Sequence, residues 1–192
     1  MPTTLFAFRN AHMRTAVAAA PKPAPLDWHD YLRTGRLQGG PLRVARHQYQ
    51  GGARLLDVVW AELLPLISPR LQALLAESPL SGWTTYPVVL EQDLSALRGY
   101  RALGITGRCR RVAFIEDERH VVERGDGYAV VKGLEIDMST WDGADLFMGS
   151  DSGFVIATDR VRQLFKRAKI GNVSFVPAED VTLTVDPIAP AT

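Results

Sequence analysis

The chain carries one cysteine in 192 residues, Cys109. A lone thiol cannot close an internal disulfide, so the fold must rest on its core, and such a composition suits a reducing cytoplasm. No stretch approaches the ~20 apolar residues of a membrane span, and the apolar piece 16–20 is too short for the core of a secretory signal. A cytoplasmic protein with no membrane partner is therefore expected. The glycines of Gly104-Ile-Thr-Gly107 match neither the Gly-x-Gly-x-x-Gly nor the Walker spacing, which removes the usual phosphate cradles. Charge of one sign is also missing locally. The first 26 residues contain Arg9, Arg14 and Lys22 but no acid, and no base occurs from Gly133 to Thr158.

What is present, 46 % hydrophobic and 22 % charged residues, is the composition of one soluble globular domain. The net charge of +1 averages over uneven segments: five arginines and no acid lie between Arg98 and Arg111. Two surfaces of opposite sign, or internal pairing between them, both fit that asymmetry. The segment 1–26 ends in Ala-Pro-Lys-Pro-Ala-Pro and reads as a loosely ordered lead-in or short lead-in strand, with a single domain over 27–192.

Within that domain, 55–60 is rich in strand formers and reads as a strand, or as the start of a helix running to Leu64. Ser68-Pro69 pairs an N-cap with a first-turn proline, so a helix is expected over Pro69 to Glu77, its Leu71, Leu74 and Leu75 on one face. The run 83–90 has strand composition, but Pro87 confines it to a sheet edge or a bulge, and an open edge there leaves self-association undecided. Further strands are expected at 111–115, 128–131, 154–157, 173–176 and 181–185. A helix capped by Thr158 or Asp159 carries Val161, Leu164, Phe165 and Ala168 at helical spacing and ends before Gly171. Strands outnumber helices and few strand-helix-strand units recur, which predicts an α+β fold with a mainly antiparallel sheet and a few packed helices.

The run from Gly133 to Gly153 holds five acids and no base, with Trp141 inside it, and reads as an exposed acidic loop. It contains no His, Cys or Lys to complete an acid-base or nucleophilic pair. Trp141, Asp142, Asp145 and Asp151 form a candidate partner-binding patch. In the alternative arrangement Trp141 packs inward and the aspartates cap turns. The carboxylates of Asp137, Asp142, Asp145 and Asp151 lack the spacing of an EF-hand loop, so no metal is assigned, and no cofactor is implied. Arg108 and Cys109 mark an alternative ligand or enzyme site, since the neighbouring cations would favour the thiolate and a distant His12, His29, His47 or His120 could complete it, but a structural thiol is the preferred reading of Cys109. The stretches 98–111 and 160–169 are basic, but a solvated face over a core-packed stripe explains the second better than nucleic acid does.

Taken in order, Ile67-Ser-Pro-Arg-Leu, Gly82-Trp-Thr-Thr-Tyr-Pro-Val, Gly99-Tyr-Arg-Ala-Leu-Gly-Ile-Thr-Gly-Arg-Cys109, the segment from Gly133 through Ser139-Thr-Trp-Asp-Gly-Ala-Asp145 to Met148, and Ala168-Lys-Ile-Gly-Asn-Val-Ser-Phe-Val-Pro177 resemble the myxobacterial-type immunity proteins of bacterial polymorphic toxin systems, the immunity-eleven family. The resemblance covers about 67–177. Arg110-Arg111 stand where that pattern would have a Gly-Pro type of turn. The resemblance implies a cytoplasmic bacterial protein, without catalytic residues, that binds a cognate toxin domain encoded nearby. An acidic surface would suit a basic toxin by steering its approach. Residues to Gln50 match no pattern, and acids outside the motif, such as Asp151, are the better candidates for partner choice.

Overall fold

Two apolar cores share one sheet. In the computed structural model, which describes residues 4–22, 27–36, 41–48, 51–115, 119–120, 129–150 and 152–185, that sheet has five strands. It is built from β1 (Leu5–Asn10), β9 (Gly107–Cys109), β14 (Leu146–Gly149), β15 (Val155–Thr158) and β16 (Val173–Pro177), in the order β16-β1-β15-β14-β9. All its pairings are antiparallel except β14 with β9. Successive side chains of a strand point to opposite faces, and here both faces are covered. Phe8, Leu146, Met148, Val155 and Ala157 enter the larger core. Leu5, Ala7, Phe147, Ile156 and Cys109 enter the smaller one.

The larger core is closed by a seven-stranded mixed sheet. Its strands are β2 (Ala18–Lys22), β3 (Arg43–Arg46), β4 (Val58–Ala61), β5 (Leu64–Ile67), β6 (Trp83–Tyr86), β7 (Val89–Leu90) and β8 (Arg101–Ile105), ordered β6-β8-β5-β4-β2-β3-β7. The run 83–90 supplies both edges. Pro87 interrupts it, β6 pairs with β8 at one edge, and β7 pairs with β3 at the other. Only two residues separate the opposite edges along the chain, so the sheet must curl round on itself. The smaller core is closed by β10 (Val112–Phe114) paired with β13 (Leu134–Ile136). A three-stranded sheet of β11 (Arg119–His120), β12 (Ala129–Lys132) and β17 (Thr182–Val185) completes the strands. The fold is α+β, mainly antiparallel, with three short α-helices among the described residues: α1 (Trp28–Thr34), α2 (Pro69–Glu77) and α3 (Asp159–Arg167).

Helix α2 has the predicted bounds, and the Ser68 hydroxyl accepts the Leu71 N–H at 3.1 Å as its cap. Helix α3 starts after Thr158 as expected, but that hydroxyl is turned to Asp145 and does not cap the helix. Strand β4 lies three residues beyond the start expected for it and forms a hairpin with β5. Strands β10, β15, β16 and β17 fall within a residue or so of their expected positions; β12 spans Ala129–Lys132, and Tyr128, the expected start of the strand, lies outside the described residues.

Two readings are corrected. Over its described residues 4–22 the N-terminal segment is not loosely ordered but forms strands, as the second of its two readings had it, and they belong to the sheets rather than leading into them: β1 lies between β15 and β16, with Ala7 0 % and Phe8 4 % exposed, and β2 lies inside the seven-stranded sheet. The Gly133–Gly153 run is no continuous exposed loop, because β13 and β14 pass through it and Leu146, Phe147 and Met148 are fully buried.

Candidate functional site

The predicted patch sits on the connection from β13 to β14, where the chain returns from the smaller core to the central sheet. Trp141 is half-buried, its ring 5.3 Å from that of Phe147 and its Nε1–H donated to the Ala144 carbonyl at 3.1 Å. Asp142 accepts the Arg108 backbone N–H at 2.8 Å and the Ala144 N–H at 3.0 Å, stitching the connection to β9. Asp145 is 2 % exposed. Its carboxylate accepts the Ser81 N–H at 3.0 Å, the Thr158 hydroxyl at 2.8 Å and Arg160 Nη1 at 3.1 and 3.2 Å. Asp145 therefore joins three chain segments from the interior and cannot be a contact for a partner. Of the predicted patch, Trp141 and Asp142 reach the surface while bonded inward, and Asp151 lies outside the described residues.

Glycine makes this junction possible. A Cβ at Gly82, whose φ is +84°, would strike the Leu146 carbonyl, and one at Gly107 would strike both that carbonyl and Ala144. The motif glycines therefore let the segment before β6 and the strand β9 close on residues 144–146.

What faces outward is the N-terminal part of the acidic run. Glu135 is exposed, Asp137 is partly exposed, and Met138 is 44 % exposed. Hydrogen bonds from Ser139, and then Thr140, hold the Asp137 carboxyl below the usual carboxylate range and keep it ionised. Ile136 and Met138 are shared by two adjoining clefts. One, of about 520 Å³, is lined by Leu5, Leu134, Ala178 and Glu179. The other, of about 490 Å³, is lined by Arg110, Arg111, Glu135 and Asp137. The result is an apolar ridge rimmed by acids, with two arginines on one side.

Cys109 is 1 % exposed, and its Sγ–H points to the Arg111 carbonyl at 3.5 Å. No substrate reaches this thiol without opening the smaller core, so it is not an accessible nucleophile. His29 approaches this end of the sheet: its Nε2 lies 3.1 Å from the carbonyl of Gly149, the residue paired with Cys109. His12 is exposed on the β1–β2 connection. Among the described residues, no group of three or more His, Cys, Asp or Glu is placed to hold a metal ion, and no helix is long and apolar enough to cross a membrane.

Arg108 has different surroundings. Its Nη1 donates to the carbonyls of Ile105 at 2.6 Å and Gly107 at 2.8 Å, folding the side chain onto the β8–β9 corner. Burial, and then the charge of Arg33 on α1, hold its guanidinium below the usual value. Arg33 carries no motif, and Tyr86, although it lies within the Gly82–Val88 motif, carries no signal that marks it as a site residue. Tyr86 donates its hydroxyl to the Arg33 carbonyl at 2.9 Å, and its ring packs edge-on to Tyr31, 6.0 Å away. Tyr31 is pushed up to about 12 by burial and then by Tyr86.

Some cations of the basic stretches are occupied within the fold. Arg101 donates to the Thr85 hydroxyl and carbonyl, Arg160 to Asp145 and the Pro79 carbonyl, and Arg162 to Asp159. No family model matches the chain, and no curated protein matches it in sequence.

Proposed function

We propose that this protein is a non-enzymatic immunity protein that binds and neutralises a cognate, basic toxin domain encoded beside it in a bacterial genome. The reading rests on the ordered motifs of 67–177. The observation that carries its physical side is the outward ledge of Glu135, Asp137 and Met138 between two clefts, on a scaffold that Asp142 and Asp145 fasten from within. A binding protein needs such a division: rigid residues fix the shape, and a few exposed ones meet the partner. The acids steer a basic domain, and Met138 supplies adaptable apolar contact at the centre. A buried thiol and carboxylates already engaged in hydrogen bonds leave the enzyme alternative at Arg108 and Cys109 without a reachable nucleophile.

The test is rescue. The neighbouring toxin domain is expressed in a test bacterium with and without this chain, and the two are co-purified. Survival with a one-to-one complex is expected; a toxic neighbour that this chain neither binds nor silences would overturn the reading.

A further inference from the structure

The ledge runs along a sheet edge that has no partner strand among the described residues. On its other side β13 pairs with β10, where the Ile115 N–H meets the Gly133 carbonyl at 3.2 Å and the Asp137 N–H meets the Arg111 carbonyl at 3.1 Å. Hydrogen-bonded and non-hydrogen-bonded pairs alternate along an antiparallel ladder. Glu135 and Asp137 therefore turn their backbone groups to β10, and Leu134 and Ile136 turn theirs the opposite way. No hydrogen bond among the described residues engages the N–H or C=O of Leu134 or Ile136 on that side.

The neighbouring chain leaves this edge open. Strand β17 runs antiparallel along β12. Its line ends at Val181, whose carbonyl accepts the Gly133 N–H at 2.9 Å, and the preceding residues turn aside as a short 3₁₀ turn, Ala178–Asp180. The cleft of about 520 Å³ begins there, lined by Leu134, Ile136 and Met138 of one segment and by Leu5, Ala178 and Glu179 of others. Open sheet edges are ready templates for pairing with another chain.

We infer that this edge takes an extended segment of the partner as an added strand, antiparallel to β13 as β17 is to β12, with apolar and basic side chains alternating along it. The inference rests on the reading of this ledge as the protein's interface and names the form of its occupant. Main-chain bonds to Leu134 and Ile136 hold the segment, the means by which sheet edges bind peptides. Residues directly opposite each other across a ladder share a face. Those opposite Leu134 and Ile136 point with them toward the smaller core, where Leu5 and Ala178 line the cleft, and are apolar. Those opposite Glu135 and Asp137 share the outer face, where Glu135 is exposed, and are basic. A second copy of the chain is the poorer occupant. Edge-to-edge pairing of two β13 strands brings the Glu135 and Asp137 side chains of both copies onto one face, and like charges placed opposite each other destabilise a sheet.

The probe is a short blocked peptide of alternating valine and lysine, titrated into the full isotope-labelled chain and followed by NMR. Saturable shifts of the Leu134 and Ile136 amide resonances are expected, with slowed hydrogen exchange at both. In this pairing the valine amides face β13, so N-methylation of the valines should abolish saturation, whereas N-methylation of the lysines should retain it. Glu135→Lys, at an exposed position, should weaken the peptide at least about 5-fold. No saturable shift at these two amides, or saturation that survives methylation of the valines, would refute strand addition. The toxin reading stands or fails separately in the rescue assay. Peptide pairing without rescue removes the toxin and keeps the edge; rescue by a complex in which both amides exchange as fast as in the free chain removes the added strand and keeps the immunity function.

Discussion

At the scale of single residues, the acidic run shows how one residue type takes opposite roles within a few positions. Asp145 is buried because its acceptors meet donors 64, 13 and 15 positions away, at Ser81, Thr158 and Arg160. No local pattern announces such partners, which is why composition made the whole run look exposed. Asp142 and Trp141 behave as the inward alternative described, capping and covering the connection. Truncation should separate these roles. Asp145→Ala leaves the Ser81 N–H and the Thr158 hydroxyl without their acceptor, while the more exposed Arg160 is free to turn to water, and is expected to cost about 2–5 kcal/mol. Asp142→Ala loses turn-capping bonds and should cost about 0.5–2 kcal/mol. Urea denaturation of both variants measures the difference, and equal losses would contradict the assignment of Asp145 as the interior anchor.

Among elements, legibility followed how local the determinants are. Helix α2 was readable to its ends because cap, first-turn proline and leucine face all lie within ten residues of sequence. Strand β1 was hidden because both its faces are buried: Leu5 and Ala7 serve one core and Phe8 the other, so apolar residues do not alternate with polar ones. The same double burial disguised β14 within the acidic run. Pro87 was read correctly as an edge signal, but pairing alone decides that the two halves of its run lie on opposite edges. The role of β1 is testable at Phe8, whose ring lies 5.6–5.9 Å from those of Trp60, Phe165 and Phe175. Phe8→Ala should destabilise the protein by about 3–5 kcal/mol, read by thermal or urea unfolding. A loss within about 0.5 kcal/mol, as at a surface position, would return the segment to the status of a lead-in.

For the molecule as a whole, the opposite charges seen along the sequence are partly consumed by internal pairing, most clearly where Arg160 of α3 meets Asp145 of the acidic run. The proposed interface is the ledge at Glu135, Asp137 and Met138. The most direct measurement of the proposed function is the affinity for the neighbouring toxin domain that it calls for, compared between the parent chain and Glu135→Lys/Met138→Asp. The variant should bind at least about 30-fold more weakly, the equivalent of a hot-spot loss of 2 kcal/mol, while Lys166→Glu on α3 binds like the parent. Equal affinity of the double variant and the parent would contradict the placement of the interface on this ledge.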